Sequence, residues 1–329
     1  MADVPDLSAP TPEDWWGGMT TTATEDAPFV HPALFYRGDE EYVAGTVPFL
    51  LEGLAASEPV AVAAPVPRLE VISAALGTAA EAVHFVDMTR AGRNPGRIIP
   101  SVLRAFADAR RGGPVRIIGE PIWSGRTATE YPACVQHEAL INTAFRGRDV
   151  TILCPYDARS LPDDVLADAH ATHPLLITAG HQSVSGAYDP VKVLDRYNEP
   201  LRCPPGAATV RFDAEALPVT RDFALHEARE RGMGAVRLQD LALVVAELTT
   251  NSVVHAGGRG TLRLWAESEQ IVCEVQDAGR LTDPLVGRRP APPDQLGGRG
   301  LLLVHHLSDL VRMHTDECGT TIRSYLARA

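Results

Sequence analysis

The chain has 329 residues, 45% of them hydrophobic, and a formal net charge of -12 at neutral pH. That length exceeds one typical domain, so two domains, each with its own core, are expected. The acidic balance argues against direct nucleic-acid binding, which rests on clustered Lys and Arg that release counterions from phosphates.

Residues 1–27 are rich in Pro, Thr, Asp and Glu, with only Trp15 and Trp16 to bury. They read as a loose tail whose tryptophans dock on the body. The acidic start has no basic region and no apolar core behind it, so no signal peptide is expected, and no later run could span a bilayer. Five scattered cysteines, Cys134, Cys154, Cys203, Cys273 and Cys318, form no close pair, which fits a reducing cytoplasm.

From 28 to 197, short apolar runs at 60–64, 82–87, 115–119 and 150–154 alternate with helix-period segments at 67–76, 97–111 and 129–146. This alternation predicts an α/β domain with one mostly parallel sheet covered on both faces. Ligands of such sheets sit beyond the carboxyl ends of the strands, which makes Glu120, Trp123 and Tyr156 the candidates for a pocket. The loop after the first run, Pro65-Val66-Pro67, has no glycine and no Lys, so it is not a phosphate loop. The spacing of His31, His137, Glu138 and Cys154 gives no support for a metal site, and buried polar residues closing a sheet edge is the preferred reading. Glu138 and Asn142, four apart, are read as structural.

A Pro- and Gly-rich stretch at 198–208 marks the linker. From 209 to 329 the expected order is a strand at 209–212, helices near 219–232 and 238–255, and strands at 261–266 and 271–276. A long loop at 280–296, a helix at 299–308 and a final pair of strands follow. Strands and helices segregate, which predicts an α+β layer.

This second domain carries the chemistry. Glu247, Asn251 and His255 are four residues apart and line one stripe of a helix whose neighbours Leu241, Val244, Val245 and Leu248 are apolar. A carboxylate and an amide at the rim of such a stripe suit a hard divalent cation and a hydroxyl to be deprotonated. Asp277 ends a strand two residues before Gly279, so its carboxylate is held at a turn where it can accept a hydrogen bond from an exocyclic amine such as that of adenine. Gly297, Gly298 and Gly300 open the next helix and place backbone amides at its N-terminus, a natural anion site, with Arg299 adding charge. Arg280, Arg288 and Arg289 make the loop 280–296 read as a lid over phosphates.

These residues resemble the GHKL ATP-binding fold, a Bergerat-type sandwich shared by DNA gyrase, Hsp90, histidine kinases and mismatch-repair ATPases. The compact form is most similar to bacterial anti-sigma-factor serine/threonine kinases. Their N-box matches Glu247, Asn251, His255 and Ala256; their Asp-x-Gly box matches Asp277 and Gly279; their glycine box matches Gly298, Gly300 and Leu301. Gly319-Thr320-Thr321 matches the last adenine-side motif more loosely. Ser252 stands where the family has Ala, a change expected to be harmless. The resemblance implies ATP and Mg2+ as ligands, with Glu247 as general base, Asn251 on the magnesium and Asp277 on adenine. The amides around Gly298, Arg299, Gly300 and Leu301 would hold the triphosphate.

The first domain resembles the MEDS sensory domain, a relative of the RecA and KaiC-like fold without its phosphate loop. The resemblance lies in His31–Tyr36, Gly119–Trp123, His137-Glu138 with Asn142, and Cys154–Asp157. Together the two resemblances imply a cytoplasmic anti-sigma regulator in which a sensory domain controls an ATP-binding kinase. Its partners would be a sigma factor and a STAS-type antagonist, with no direct nucleic acid and no membrane, and a homodimer is left open. An ATP-binding partner-switch protein without turnover and a diverged sensor histidine kinase are the alternatives. The latter needs a helical hairpin carrying an acceptor His, and His226 on the helix at 219–232 has no second helix beside it, so it reads as an ordinary surface or packing residue.

Overall fold

The computed structural model describes residues 29–110, 113–290 and 298–329; Trp15, Trp16 and the end of the long loop lie outside them. Two compact units result. The first takes residues up to Thr89, Phe106–Arg126 and Ile141–Val193; the second takes Arg90–Ala105, Thr127–Leu140 and the residues from Leu194 onward.

The first unit is built on a seven-stranded sheet in the order β3-β2-β4-β5-β1-β6-β7. Its strands are β1 (Pro32–Tyr36), β2 (Val60–Ala64), β3 (His84–Asp87), β4 (Val115–Gly119), β5 (Val150–Asp157), β6 (Leu175–Thr178) and β7 (His181–Val184). All neighbours run parallel except β6 and β7. β1 and β2 are buried at every position, as continuous apolar strands covered on both faces must be. Helix α1 (Asp39–Ala55) begins with Asp39, Glu40 and Glu41, whose charges suit the positive end of the helix dipole. Tyr42, Phe49 and Leu50 of α1 pack with Ile72 and Leu76 of α2 (Val66–Leu76) on Leu34, Val62 and Ile118 of the sheet. α4 (Asp163–Thr172) follows, and the division between the units falls within α3 (Tyr131–Ala144) and within α5 (Pro190–Arg196).

The helix expected at 97–111 is broken. A 3-10 turn at Pro95–Arg97 passes into π turns at Ile98–Leu103, and α geometry holds only over Arg104–Asp108. Pro100 is the physical reason, since it removes an amide from the ladder and its ring widens the turn. β1, α1, α4, β6, β7 and α5 are additions to the elements expected.

The second unit is a five-stranded antiparallel sheet, order β11-β12-β10-β9-β8. Here β8 is Ala208–Asp213, β9 Arg259–Glu267, β10 Gln270–Asp277, β11 Leu310–Asp316 and β12 Gly319–Ala327. Helices α6 (Leu217–Glu230), α7 (Ala235–His255) and α8 (Gly300–Leu307) complete it. Alternation along β10 sends Ile271, Cys273 and Val275 into a core with Leu241, Val244, Val245 and Leu248 of α7 and Val304 of α8. Glu274, between them, faces the other way and is 1% exposed. Arg323 grips it from β12 at 2.6 and 2.9 Å, and Arg263 from β9 at 3.0 Å. Such a buried carboxylate persists only because both neighbouring strands supply a guanidinium.

Candidate functional site

In the second unit α7 carries Glu247 and Asn251 half-buried and His255 exposed in its last turn, while Leu248 and Ser252 between them are buried. At the end of β10 the Asp277 carboxylate is held at both oxygens. Oδ1 accepts from the Gly279 amide at 2.9 Å, and Oδ2 accepts from the Ser252 hydroxyl at 2.6 Å. Each carboxylate oxygen keeps a second lone-pair direction for a ligand amine. Thr320 faces Asp277 across the β10–β12 pairing and donates to the Gly279 carbonyl at 2.7 Å, which fixes the turn from below.

Two glycines mark close approaches in the site. A Cβ on Gly279 would sit 2.5 Å from the Ala256 methyl, so only glycine lets the turn lie against the end of α7. A Cβ on Gly300 would overlap the Glu247 carboxylate and lie 3.5 Å from Asn251 Nδ2. The first turn of α8 therefore lies directly against Glu247 and Asn251.

Glu247, Asn251, His255, Asp277, Gly279, Gly298, Arg299, Gly300, Leu301 and Thr320 all line one cavity of about 470 Å3, joined by Arg280, Leu281, Val286 and Ile322. It combines a carboxylate floor at Asp277, an apolar wall, and a mouth flanked by Arg280 and Arg299. That volume lies within the usual range for small-molecule sites, about 300–1,000 Å3. The lid expectation needs correction: Arg280 borders the cavity, but Arg288 is 2% exposed, its guanidinium lowered to about 10 by burial. Arg289 is exposed and pairs with Asp283 at 3.3 Å. The rest of that loop, 291–296, lies outside the described residues.

In the first unit the three sensory candidates are not brought together. Glu120 is buried and accepts hydrogen bonds from Tyr42 at 3.1 Å and Tyr36 at 3.4 Å. Arg68 stacks over both tyrosine rings. Burial pushes the Glu120 carboxyl up to about 8, against the pull of Arg68 and the tyrosine hydroxyls. Tyr156 instead stacks on Phe35 and meets His173 edge-on. Phe35 and Tyr36 are consecutive in β1 and point to opposite faces, so Glu120 and Tyr156 belong to different sides of the sheet. Trp123 is half-buried and stacks with Arg126. The residue preceding α2 is Pro65, in keeping with the absence of a phosphate loop there. Asn142 has a structural role, donating to the Thr172 carbonyl at 2.8 Å.

Sequence reasoning missed the tyrosine pair and Arg68 around Glu120, and the bond between Ser252 and Asp277. Neither has a motif, although Ser252 occupies the turn of α7 that must face Asp277 if Asn251 lines the cavity.

Fold and site define an α/β unit on a mostly parallel sheet and an α+β unit whose helices and antiparallel sheet enclose the cavity. Residues 30–174 match the family model of MEDS, the MEthanogen/methylotroph, DcmR Sensory domain. Residues 210–325 match that of the histidine kinase-like ATPase domain. The chain thus carries a MEDS domain followed by a histidine-kinase-like ATPase domain. Among solved structures it is similar to the Acinetobacter baumannii histidine kinase AdeS at 14% identity and a TM-score of 0.23, covering 44% of this chain and 88% of that one. No curated protein matches it. Among the described residues, no helix is long and apolar enough to cross a membrane.

Proposed function

We propose that this chain is a regulatory serine/threonine kinase of a partner-switching system in the cytoplasm. Its MEDS domain senses a small molecule, and its ATPase domain binds a sigma factor or phosphorylates a STAS-type antagonist of the anti-sigma function. The observation that carries the reading is the convergence of α7, the β10 turn and the start of α8 on one cavity, with Gly300 set against Glu247 and Asn251.

ATP with Mg2+ fits this donor set. The Asp277 carboxylate, fixed at both oxygens, is a base-reading acceptor for an exocyclic amine. The Asn251 side-chain oxygen suits a hard cation that keeps several waters. The amides of Gly298 to Leu301 suit phosphate, and the bare Cα of Gly300 lets the start of α8 lie against Glu247. Bound MgATP supplies the transferable phosphoryl group and the neutralisation of its charge. Glu247, half-buried at the cavity wall, is placed to take the proton of an attacking hydroxyl as general base.

The acceptor is read as another protein because, among the described residues, α6 is the single helix between β8 and α7, and His226 on it is exposed. Incubation with radiolabelled ATP, magnesium and candidate STAS antagonists tests this. Acid-stable phosphate on the antagonist is expected. Acid-labile phosphate on this chain would make it a histidine kinase, and nucleotide binding without any transfer would make it a partner-switch protein lacking turnover.

A further inference from the structure

Outside the nucleotide cavity, buried side chains from distant parts of the first unit converge on one spot. His31 lies just ahead of β1, Cys154 is in β5, and His173 lies between α4 and β6. They are 1%, 1% and 0% exposed, and their ligand atoms lie within 4.8 Å of one another. The strand pairing explains the meeting: Ala33 faces Cys154 and Pro32 faces Leu175, so the start of β1 lies between the middle of β5 and the start of β6. The His31 and His173 rings are 4.1 Å apart.

The surrounding hydrogen bonds set both histidine tautomers. His173 Nδ1 lies 2.9 Å from the Ala169 carbonyl, an oxygen that can only accept, and 3.0 Å from the Thr172 hydroxyl, which donates its own proton to the Asp168 carbonyl at 2.9 Å, so Nδ1 is the donor. Asn142 donates its Nδ2 to the Thr172 carbonyl at 2.8 Å, which turns its Oδ1 toward His31 Nδ1 at 3.2 Å and makes that nitrogen a donor too. In both rings Nε2 keeps the lone pair. His31 directs that Nε2 at Cys154 Sγ, 3.3 Å away. An outer acceptor on Nδ1 that aims Nε2 inward is how proteins orient imidazoles that bind metal. The sulfur-to-nitrogen separation is also close to the ~3.5 Å that a tetrahedral zinc ion with ordinary bond lengths imposes on a thiolate and an imidazole.

We infer that His31, Cys154 and His173 form a transition-metal site of the zinc class within the MEDS domain. One thiolate and two imidazoles are the donor set that borderline ions such as Zn2+ and Co2+ favour over magnesium or calcium. Binding forms one sulfur–metal and two nitrogen–metal bonds and releases the Cys154 thiol proton to solvent, with no change of oxidation state. Sequence reading weighed His31 and Cys154 together with His137 and Glu138 and preferred a structural role; it left out His173, because the pairing of β1 with β5 and β6 that brings His173 to them has no motif.

The test uses the full chain, stripped of metal by chelation, without nucleotide, titrated with Co2+ and followed by absorption. The expected result is a thiolate-to-cobalt charge-transfer band saturating at one Co2+ per chain, bleached by Zn2+, absent in Cys154→Ser and retained in Cys318→Ser. Metal content of the untreated chain, purified from zinc-supplemented cells, should be one zinc per chain. A wild-type chain that gives no thiolate band and purifies without zinc overturns the inference, and does so whether or not the Cys154→Ser variant folds. A band that persists in folded Cys154→Ser overturns it equally.

Discussion

Ser252 Oγ donates a 2.6 Å hydrogen bond to Asp277 Oδ2, tying α7 to the carboxylate that lines the proposed nucleotide cavity. Ser252, expected from the sequence to be a harmless change from alanine, thus has a partner in this chain. Ser252→Ala removes the bond but leaves the Gly279 amide on Oδ1. One such bond contributes roughly 1 kcal/mol, so ATP affinity should fall by about fivefold in an isothermal titration.

Asp277→Asn should remove nucleotide binding altogether. The amide would place an NH2 group where the ligand amine needs an acceptor, and it would lose the charge that both Ser252 and Gly279 now stabilise. An unchanged nucleotide titration in this variant would refute the assignment of Asp277 to adenine.

Gly300→Ala should impair binding of the phosphates more than that of the base. Its new methyl would collide with the Glu247 carboxylate and push that side chain from its place beside the start of α8. ATP and ADP affinities should drop together with transfer, while adenosine affinity changes little.

Glu274→Ala leaves Arg323, 7% exposed, without its carboxylate partner. Removing one member of a buried pair costs about 3–5 kcal/mol, and urea unfolding of the ATPase domain should show a loss at the lower end because Arg263 is partly solvated.

Glu120 should make the first unit pH-sensitive. Its carboxyl titrates near 4.5 in the unfolded chain and at about 8 in the folded one, mainly because of burial. The folded state then holds the proton more tightly, so this contribution to stability is complete below about 4.5 and is lost as pH rises toward 8. Arg68 and the Tyr36 and Tyr42 hydroxyls oppose the shift, and Asp157 adds to it. Chemical denaturation across that range should show falling stability in the wild type and a flatter profile in Glu120→Gln.

How much was legible in the sequence depends on how local the signal is. The run from Ala235 to His255 is a long amphipathic helix without internal Gly or Pro, so α7 and its Glu247–Asn251–His255 stripe could be read directly. β10 ends where its apolar alternation meets Asp277 and Gly279. Helix α1 was obscured by Gly45, Pro48 and Gly53, which packing in the core overrides. β7 is exposed at every position and is held as a strand only by its pairing with β6, which no periodicity announces. The metal-ligand cluster and the Glu120 tyrosines depend on strand order in the sheet, and strand order is set by contacts far apart along the chain.

The most direct measurement compares wild type with Glu247→Ala for both nucleotide affinity and phosphate transfer to a STAS-type antagonist. The account predicts ATP affinity within about threefold of wild type and transfer reduced by at least ~10²-fold, the usual scale for a lost general base. Full transfer activity in Glu247→Ala would contradict it.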